Sequence, residues 1–239
     1  MTAAIMTTKI LLLPGLLCDA RLWRDVIPLL PAEALVADLT LDESMEAMAD
    51  RALAAAEQAW GQGARFAVAG LSMGGYVAFS LWRAAPERIT HLALFDTSAR
   101  PDTAEATGKR RGLMQLAEVG QFKGVTPRLL PQLLHPDHLS GPLAEDVMAM
   151  ADRVGQDAFF RQQRAIMERP DSRPDLPIID VPVLVAVGEA DVLTPPELAE
   201  EMALSIPGAE LVRFPGCGHL PSMEAPALVA GAMERWLRR

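Results

Sequence analysis

The sequence predicts an α/β fold with a mostly parallel central sheet, helices on both faces and an inserted helical lid. Three observations predict it. Short apolar runs alternate with amphipathic segments over residues 1–97, this alternation stops over residues 98–174, and it resumes over residues 175–239. Strands that alternate with helices of about 10 to 15 residues are typical of a parallel sheet covered on both faces.

The first block supplies four predicted strands and three predicted helices. Compact apolar runs bounded by turn or polar residues predict strands at residues 10–13, 34–39, 66–71 and 91–95. Apolar residues at helical spacing, with Asp19 as a predicted N-cap and Pro86 as a stop, predict helices. These helices cover residues 19–30, 44–60 and 74–85.

The middle block shows helical patterns and no convincing strand. The patterns cover residues 110–119, 127–134, 143–154 and 158–168. The last block returns to alternation, with strands at 183–187 and 210–214 and helices at 195–206 and 226–237. Because the middle block lacks a strand framework of its own, we assign residues 1–97 and 175–239 to one core. Residues 98–174 are then a lid insertion rather than a second domain.

Composition excludes several classes of function. Half of the residues are apolar, which allows a sizeable core, and the net charge is −9. Nucleic acids and anionic membranes both need a concentrated positive face, so we expect neither as a partner. Two cysteines, Cys18 and Cys217, cannot form a disulfide framework and lack metal-ligand spacing.

The N-terminal apolar run resembles a secretory signal only briefly. It covers residues 10–13 and ends at Pro14-Gly15, and no small-residue cleavage site follows. No segment approaches the roughly 20 apolar residues that a membrane-spanning helix needs. We therefore expect a cytoplasmic protein that acts on a small molecule. The sequence does not predict its oligomeric state.

A strand-to-helix junction carries the first chemical motif. Gly70, Ser72 and Gly74 form the pattern Gly-x-Ser-x-Gly between a predicted strand and a predicted helix. A serine on such a sharp turn projects its hydroxyl above the sheet, and side chains two positions to either side would collide with neighbouring backbone. Free N–H groups at the start of the helix favour a developing oxyanion. We therefore predict that Ser72 is a nucleophile rather than a serine in a glycine-rich turn.

A serine nucleophile requires a general base, and the chain has four histidines. His91 begins a predicted strand, which indicates a structural role. His135 and His138 flank a proline-containing turn in the predicted lid, which is typical of solvated loop residues rather than of a metal site. His219 lies in a glycine-flanked loop after the last predicted strand. Loops at the carboxyl ends of parallel strands open onto one crevice, so we predict His219 as the base.

The imidazole in turn needs an acid that fixes its tautomer. We expect this acid between Ser72 and His219 in the chain, at the end of another strand. Asp191 fulfils both conditions and is our choice. Glu189 in the same loop and Asp96, directly after the strand at 91–95, are the alternatives.

Three motifs together resemble the α/β-hydrolase superfamily, particularly its small bacterial esterase-like members. They are Gly-Leu-Ser-Met-Gly-Gly at 70–75, Gly-Glu-Ala-Asp at 188–191 and Gly-Cys-Gly-His-Leu-Pro at 216–221, in the family order Ser, Asp, His. The resemblance covers essentially the whole chain except the predicted lid. It implies a serine carboxylester hydrolase with a Ser-His-Asp triad, which needs no metal or organic cofactor.

The resemblance also implies an oxyanion hole made by two backbone N–H groups. One comes from Met73, the residue after the nucleophile, and the other from Leu16 in the loop after the first strand. Pro14 stands in this loop where the family usually has a histidine. This departure removes no catalytic group.

Apolar residues near these motifs predict an apolar substrate pocket. The predicted lining is Leu16, Leu17, Met73, Leu193 and Leu220, with Met114, Phe159 and Phe160 as lid residues that either join it or serve ordinary packing. The acidic composition disfavours polyanionic substrates. We therefore expect a neutral carboxylic ester with a small or medium acyl group.

Other reactions use the same triad. Hydrolysis of a carbon–carbon bond in a diketone acid, and peracid formation as in cofactor-free haloperoxidases, are the enzymatic alternatives. Epoxide hydrolases and haloalkane dehalogenases need a carboxylate nucleophile, and the serine at position 72 argues against both. A non-catalytic ligand-binding protein on the same fold is the alternative from another class. Such proteins usually lose a triad member, and none is missing here.

Overall fold

A single six-stranded sheet forms the centre of the computed structural model, which describes residues 8–239. All neighbouring strands are parallel, and their order is β2-β1-β3-β4-β5-β6. The strands are β1 (Thr8–Leu13), β2 (Ala32–Val36), β3 (Phe66–Leu71), β4 (Ile89–Phe95), β5 (Val183–Gly188) and β6 (Glu210–Phe214). The predicted α/β class is confirmed. Residues 1–7, assigned to the core from sequence, lie outside the described residues.

Helices cover both faces of the sheet. They are α1 (Met45–Trp60), α2 (Met73–Ala84), α3 (Ala104–Leu116), α4 (Leu130–Leu133), α5 (Pro142–Glu168), α6 (Pro196–Ser205), α7 (Pro221–Glu224) and α8 (Pro226–Leu237). One buried cluster includes Met48, Phe79 and Met202 from α1, α2 and α6. A second contains Trp23 together with Trp236 from α8. Strands β3 and β5 lie between these clusters and are buried along their whole length, as their unbroken apolar sequences predict.

The strand order reverses at β1, which pairs with both β2 and β3. In open α/β sheets, ligands bind in the crevice outside the carboxyl ends of the strands at such a reversal. The loops after β1 and β3 lie on the two sides of this point. The topology therefore places residues 14–17 next to Ser72 before any side chain is considered.

Residues 19–30 do not form the predicted α-helix. They form two short 3₁₀ turns, Ala20–Leu22 and Ile27–Leu29. Asp19 does cap the first turn, since its Oδ1 accepts the N–H two residues on at 2.8 Å. Pro28 has no backbone N–H and disfavours helical conformation in the preceding residue, which explains the break. Of the apolar residues at helical spacing, Leu22, Trp23 and Val26 are buried even so, whereas Leu29 is exposed.

Residues 98–174 contain α3, α4 and α5 and no strand among the described elements. The chain continues beyond α3 into a π-helical turn, Ala117–Gln121. Helix α5 spans two predicted helices and kinks between them at Gly155, where φ is +79°. Two arginines on either side of this kink bind the helix to the core: Arg153 pairs with Asp19, and Arg161 donates to the carbonyl of Thr40.

The helices of residues 8–239 differ from membrane-spanning helices. None of them combines the length and the apolar character that crossing a membrane requires.

Candidate active site

Ser72 lies on a strained turn between β3 and α2. Its φ is +55° and its ψ is −117°, a backbone conformation that residues other than glycine rarely adopt. A Cβ atom at Gly70 would lie 2.3 Å from the carbonyl oxygen of Gly74, and one at Gly74 would lie 2.0 Å from that of Leu13. The two glycines of the motif are therefore required by close backbone contact, as the sequence predicts. Thr97 supports the turn by donating to the carbonyl of Ser72.

Ser72, His219 and Asp191 form one hydrogen-bonded chain. His219 Nε2 lies 2.8 Å from Ser72 Oγ, and His219 Nδ1 lies 2.8 Å from Asp191 Oδ2. The serine follows β3, the aspartate follows β5 and the histidine follows β6, so three loops meet at one edge of the sheet. His219 and Asp191 are buried, which shields their contact from water. The arrangement can transfer a proton from the hydroxyl to the imidazole.

Asp191 accepts more hydrogen bonds than the one from His219. Its Oδ1 accepts the backbone N–H groups of Leu193 and Thr194, and its Oδ2 accepts the Thr194 hydroxyl at 2.6 Å. Burial alone would raise the pKa of Asp191. The adjacent His219 and these donors outweigh burial and hold the pKa below its ordinary value. The carboxylate is thus kept charged, as an acid that stabilises an imidazolium must be.

The two rival acids are placed differently. Glu189 is exposed and its side chain makes no hydrogen bond to the described residues. Asp96 is fully buried beside the triad; its Oδ1 accepts the N–H of Gly188 and its Oδ2 has no partner among the described residues. Burial, followed by the negative charge of Asp191, raises the pKa of Asp96 well above its ordinary value. This carboxyl group therefore tends to keep its proton, unlike Asp191.

The other three histidines lie away from Ser72. His91 packs edge-on against Trp236, with ring centroids 5.5 Å apart, and burial lowers its pKa. His138 Nδ1 lies 2.9 Å from a carboxylate oxygen of Glu224, and the N–H of His135 donates to the same oxygen. The structural interpretation of His91 is confirmed. The pair in the lid is not simply solvated, because Glu224 engages both residues.

Glu224 was not singled out from the sequence. Its side chain is fully buried. Its Oε1 accepts the backbone N–H of Gly218 at 2.7 Å, and its Oε2 accepts the backbone N–H of His135 and lies 2.9 Å from the ring Nδ1 of His138. His219 is held from the same side, because its N–H donates to the carbonyl of Leu133. A glutamate followed by Ala-Pro at a helix end gives no local signal of this role.

The loop after β1 faces Ser72 with an unpaired amide. Neither the N–H of Leu16 nor that of Met73 donates to another described residue. The N–H of Leu17, by contrast, donates to Oε1 of the buried Gln162, and Gln162 Nε2 donates to the carbonyl of Leu39. Leu17 has a φ of +57°. Gln162 therefore holds the loop through Leu17. The backbone N–H groups of Leu16 and Met73, which the family resemblance implies for the oxyanion hole, remain unpaired among the described residues.

A cavity of about 1030 Å³ opens at this edge of the sheet. Ser72 and His219 line it, and so do the predicted pocket residues Leu16, Leu17, Leu193, Leu220 and Phe159. The prediction for Met73 is wrong, since Met73 does not line the cavity. Of the three lid residues that were expected either to join the pocket or to serve packing, Met114 and Phe160 do not line it. Met73 belongs to the buried cluster that also contains Met48 and Phe79. Met114 and Phe160 pack against a small buried cluster that includes Leu17 and Phe159.

Neither cysteine is a better candidate nucleophile than Ser72. Burial raises the pKa of Cys18 to about 12, and that of Cys217 also to about 12. Both are therefore neutral thiols, which are poor nucleophiles. Candidate metal ligands of Asp96, Asp191 and His219 lie within 4.8 Å of one another. Both ring nitrogens of His219 are already engaged by Ser72 and Asp191, so this cluster fits a proton relay better than a metal site.

Comparison with known proteins places the chain among hydrolases. Residues 10–232 match the sequence model of a family described as the alpha/beta hydrolase family. A pimeloyl-[acyl-carrier protein] methyl ester esterase from Neisseria meningitidis serogroup B, strain H44/76, is 29% identical over 223 residues, 89% of this chain and 86% of that protein. Its counterpart from serogroup C is 31% identical, over 64% of this chain and 62% of that protein.

Solved structures give the same result. A thermophilic esterase from Thermogutta terrifontis, with malate bound, is 33% identical with a TM-score of 0.87; the match covers 97% of this chain and 91% of that one. The enol-lactonase from Burkholderia xenovorans LB400 is 23% identical with a TM-score of 0.84, covering 98% and 92%. At that identity the second likeness concerns the fold alone.

Proposed function

The chain belongs to the alpha/beta hydrolase family, and we propose that it is a serine hydrolase that cleaves a carboxylic ester with a small or medium acyl group. One observation carries the proposal: Ser72 Oγ, the His219 ring and the Asp191 carboxylate form a continuous hydrogen-bonded line at the wall of a largely apolar cavity. The relatives named as esterases support an ester as the reacting group.

In the proposed first step, His219 Nε2 takes the proton from Ser72 as Oγ attacks the ester carbonyl carbon. The carbonyl π electrons move to oxygen, and the N–H groups of Leu16 and Met73 hold the resulting oxyanion. Each such donor is typically worth about 2.7–4 kcal/mol of transition-state stabilisation. Collapse of the intermediate expels the alcohol, which receives the proton from His219, and leaves an acyl group on Ser72.

In the second step, the same histidine removes a proton from water, which attacks the acyl carbon. The Ser72–carbonyl bond then breaks, Oγ regains its proton and the acid leaves. Asp191 keeps the imidazole in the tautomer that presents Nε2 to Ser72. The proposed steps use only the substrate, water, these three side chains and the backbone N–H groups of Leu16 and Met73.

The segment 98–174 acts as a lid in this proposal. Its residues supply much of the cavity wall opposite the sheet, including Leu113, Phe122 and Leu129. A cover of this kind excludes water from the oxyanion and strengthens the hydrogen bonds made to it.

The test is hydrolysis of p-nitrophenyl esters of increasing acyl length, together with covalent labelling by a fluorophosphonate. We expect Ser72→Ala to abolish both. Ser222→Ala is the matched control, because this buried hydroxyl makes no hydrogen bond to the described residues. Labelling of Ser72 without turnover of any ester would favour carbon–carbon hydrolysis or perhydrolysis. Absence of both labelling and turnover in the wild type would favour a binding protein.

A further inference from the structure

The cavity wall differs in charge from the rest of the protein. The chain as a whole carries a net charge of −9. The side chains of Arg110, Lys123 and Arg128 line the cavity, and no aspartate or glutamate of residues 8–239 does so. A concave, low-dielectric wall with charges of one sign concentrates ligands of the opposite sign. The overall charge therefore does not describe the site.

Arg110 is the least exposed of these cations and is held in a fixed position. Its Nε donates to Oδ2 of Asp102 at 2.8 Å, and its Nη1 donates to Oε1 of Gln163 at 2.9 Å. Asp102 is almost wholly buried and is shared with a second guanidinium, that of Arg169. The cluster of Arg110, Arg169 and Asp102 therefore has a net charge of +1, because two guanidinium groups share one carboxylate.

The cluster reaches the part of the cavity next to the nucleophile. The Arg169 guanidinium lies 4.2 Å from the ring centroid of Tyr76. Tyr76 is one helical turn beyond Ser72 on α2, on the same face, and also lines the cavity. Tyr76 thus connects the positive cluster to the wall that carries Ser72.

Donors of this cluster remain free towards the cavity. Neither Nη2 of Arg110 nor Nε2 of Gln163 makes a hydrogen bond to another described residue, and both side chains line the wall. The planar guanidinium matches a carboxylate better than any other anion-binding side chain does. An adjacent amide N–H adds a further donor without adding charge.

We propose that Arg110 and Gln163 bind a carboxylate carried by the ester substrate, so that the preferred substrates are monoesters of dicarboxylic acids. This inference rests on the proposed function and refines the expectation of a neutral substrate: the reacting ester is neutral, and the distal end of the acyl chain is not. Lys123 and Arg128, exposed at the rim, attract the anion over a longer range.

The experiment compares the monomethyl ester of each diacid, from succinic to suberic acid, with the dimethyl ester of the same diacid. Each pair has the same acyl chain and differs in one charge. We expect kcat/KM to favour the monoester, and Arg110→Met to lower the monoester-to-diester ratio about tenfold or more. In Arg110→Met, the buried carboxylate of Asp102 is still paired with Arg169, so we expect the fold to be retained. Arg111→Met is the matched control, because Arg111 is exposed on the same helix and lies outside the wall.

A second variant protects the test from a folding defect. Arg110→Lys keeps the charge and loses the planar pair of donors, so its ratio should fall between those of the wild type and Arg110→Met. The proposal is overturned if Arg110→Met and Arg111→Met give the same ratio, or if the wild type prefers the diester of every diacid. The proposal is also overturned if the preference for monoesters is lost in the double variant Lys123→Gln/Arg128→Gln but kept in Arg110→Met. That result would indicate that the two exposed cations bind an acidic carrier protein.

These outcomes are distinct from failure of the proposed function. Hydrolysis of the diesters without preference for monoesters rejects the carboxylate site and leaves the esterase proposal intact. Absence of hydrolysis of every ester, with no fluorophosphonate labelling of Ser72, rejects the esterase proposal itself.

Discussion

The side-chain oxygen of Gln162 accepts a hydrogen bond from the backbone N–H of Leu17 at 3.0 Å, although the two residues are 145 positions apart. Gln162 belongs to α5 in the predicted lid, and Leu17 adjoins the amide of Leu16 that is proposed to hold the oxyanion. The same side chain donates to the carbonyl of Leu39. Helix α5 is therefore bonded to the loop that the proposed chemistry depends on.

Replacing Gln162 by methionine should lower kcat by about 10- to 100-fold and change KM much less. The N–H of Leu17 loses its acceptor, the loop relaxes, and an oxyanion donor is held less well in the transition state. Steady-state kinetics on a p-nitrophenyl ester would measure the two constants. Gln156→Met is the control, because Gln156 lies on the same helix, does not line the cavity and makes one side-chain hydrogen bond, to the carbonyl of Ala117. Equal effects of both variants on kcat would contradict a positioning role.

Replacing Asp191 by asparagine should cost about 10³- to 10⁴-fold in kcat, because the amide favours the wrong tautomer of His219. Asp96→Asn should cost at least about a hundredfold less. Asp96 makes no hydrogen bond to the imidazole, and an asparagine oxygen can still accept the N–H of Gly188. Both rates should be measured on the same ester at one pH. A larger loss in Asp96→Asn would reverse the assignment of the acid.

The buried carboxyl group of Asp96 should make stability fall as pH rises. Its folded-state pKa is raised, first by burial and then by Asp191, so the folded protein holds a proton that the unfolded chain has lost. Above the unfolded-state pKa of about 3.9, folding takes up this proton, and the free energy of unfolding decreases with pH until the folded-state pKa is reached.

Asp96→Asn removes this proton uptake. Its free energy of unfolding, relative to the wild type, should rise by up to about 1.4 kcal/mol per pH unit in that window. Urea unfolding at several pH values from 4.5 upwards would measure it. Asp157→Asn serves as the control, because Asp157 is exposed and makes no hydrogen bond to the described residues. A pH-independent difference for Asp96→Asn would show that Asp96 titrates alike in both states.

Replacing Glu224 by glutamine should destabilise the loop that carries His219. The carboxylate accepts three hydrogen bonds on its two oxygens, whereas an amide turns one of these positions into a donor that faces another N–H. An unpaired buried donor costs about 1–3 kcal/mol. Urea unfolding should show this loss in Glu224→Gln, and activity should fall with it. Glu189 is exposed, so Glu189→Gln should change neither the free energy of unfolding nor the activity. An equal effect in Glu189→Gln would contradict the role of Glu224 in holding the His219 loop.

Elements defined by local pattern were predictable, and those defined by packing were not. The strand Phe66–Leu71 and the helix after Ser72 follow from an apolar run, two glycines and a proline stop. Residues 19–30 show the opposite case: their apolar spacing is helical, but Pro28 and burial against the sheet impose 3₁₀ turns. Among the pocket residues, Phe159 lines the cavity while its neighbour Phe160 does not, and sequence cannot separate two adjacent aromatics on one helix.

By itself, the sequence determined which loops carry a hydroxyl, a carboxyl and an imidazole, because parallel strands deliver their carboxyl ends to one edge. Tertiary structure decided that His219 bonds to Asp191 rather than Asp96 and that Gln162 and Glu224 hold the loops. It also decided that an acidic chain turns a cationic wall towards Ser72. These relationships join residues far apart in the chain. Their geometry depends on how α5 docks on the core, which no local spacing encodes.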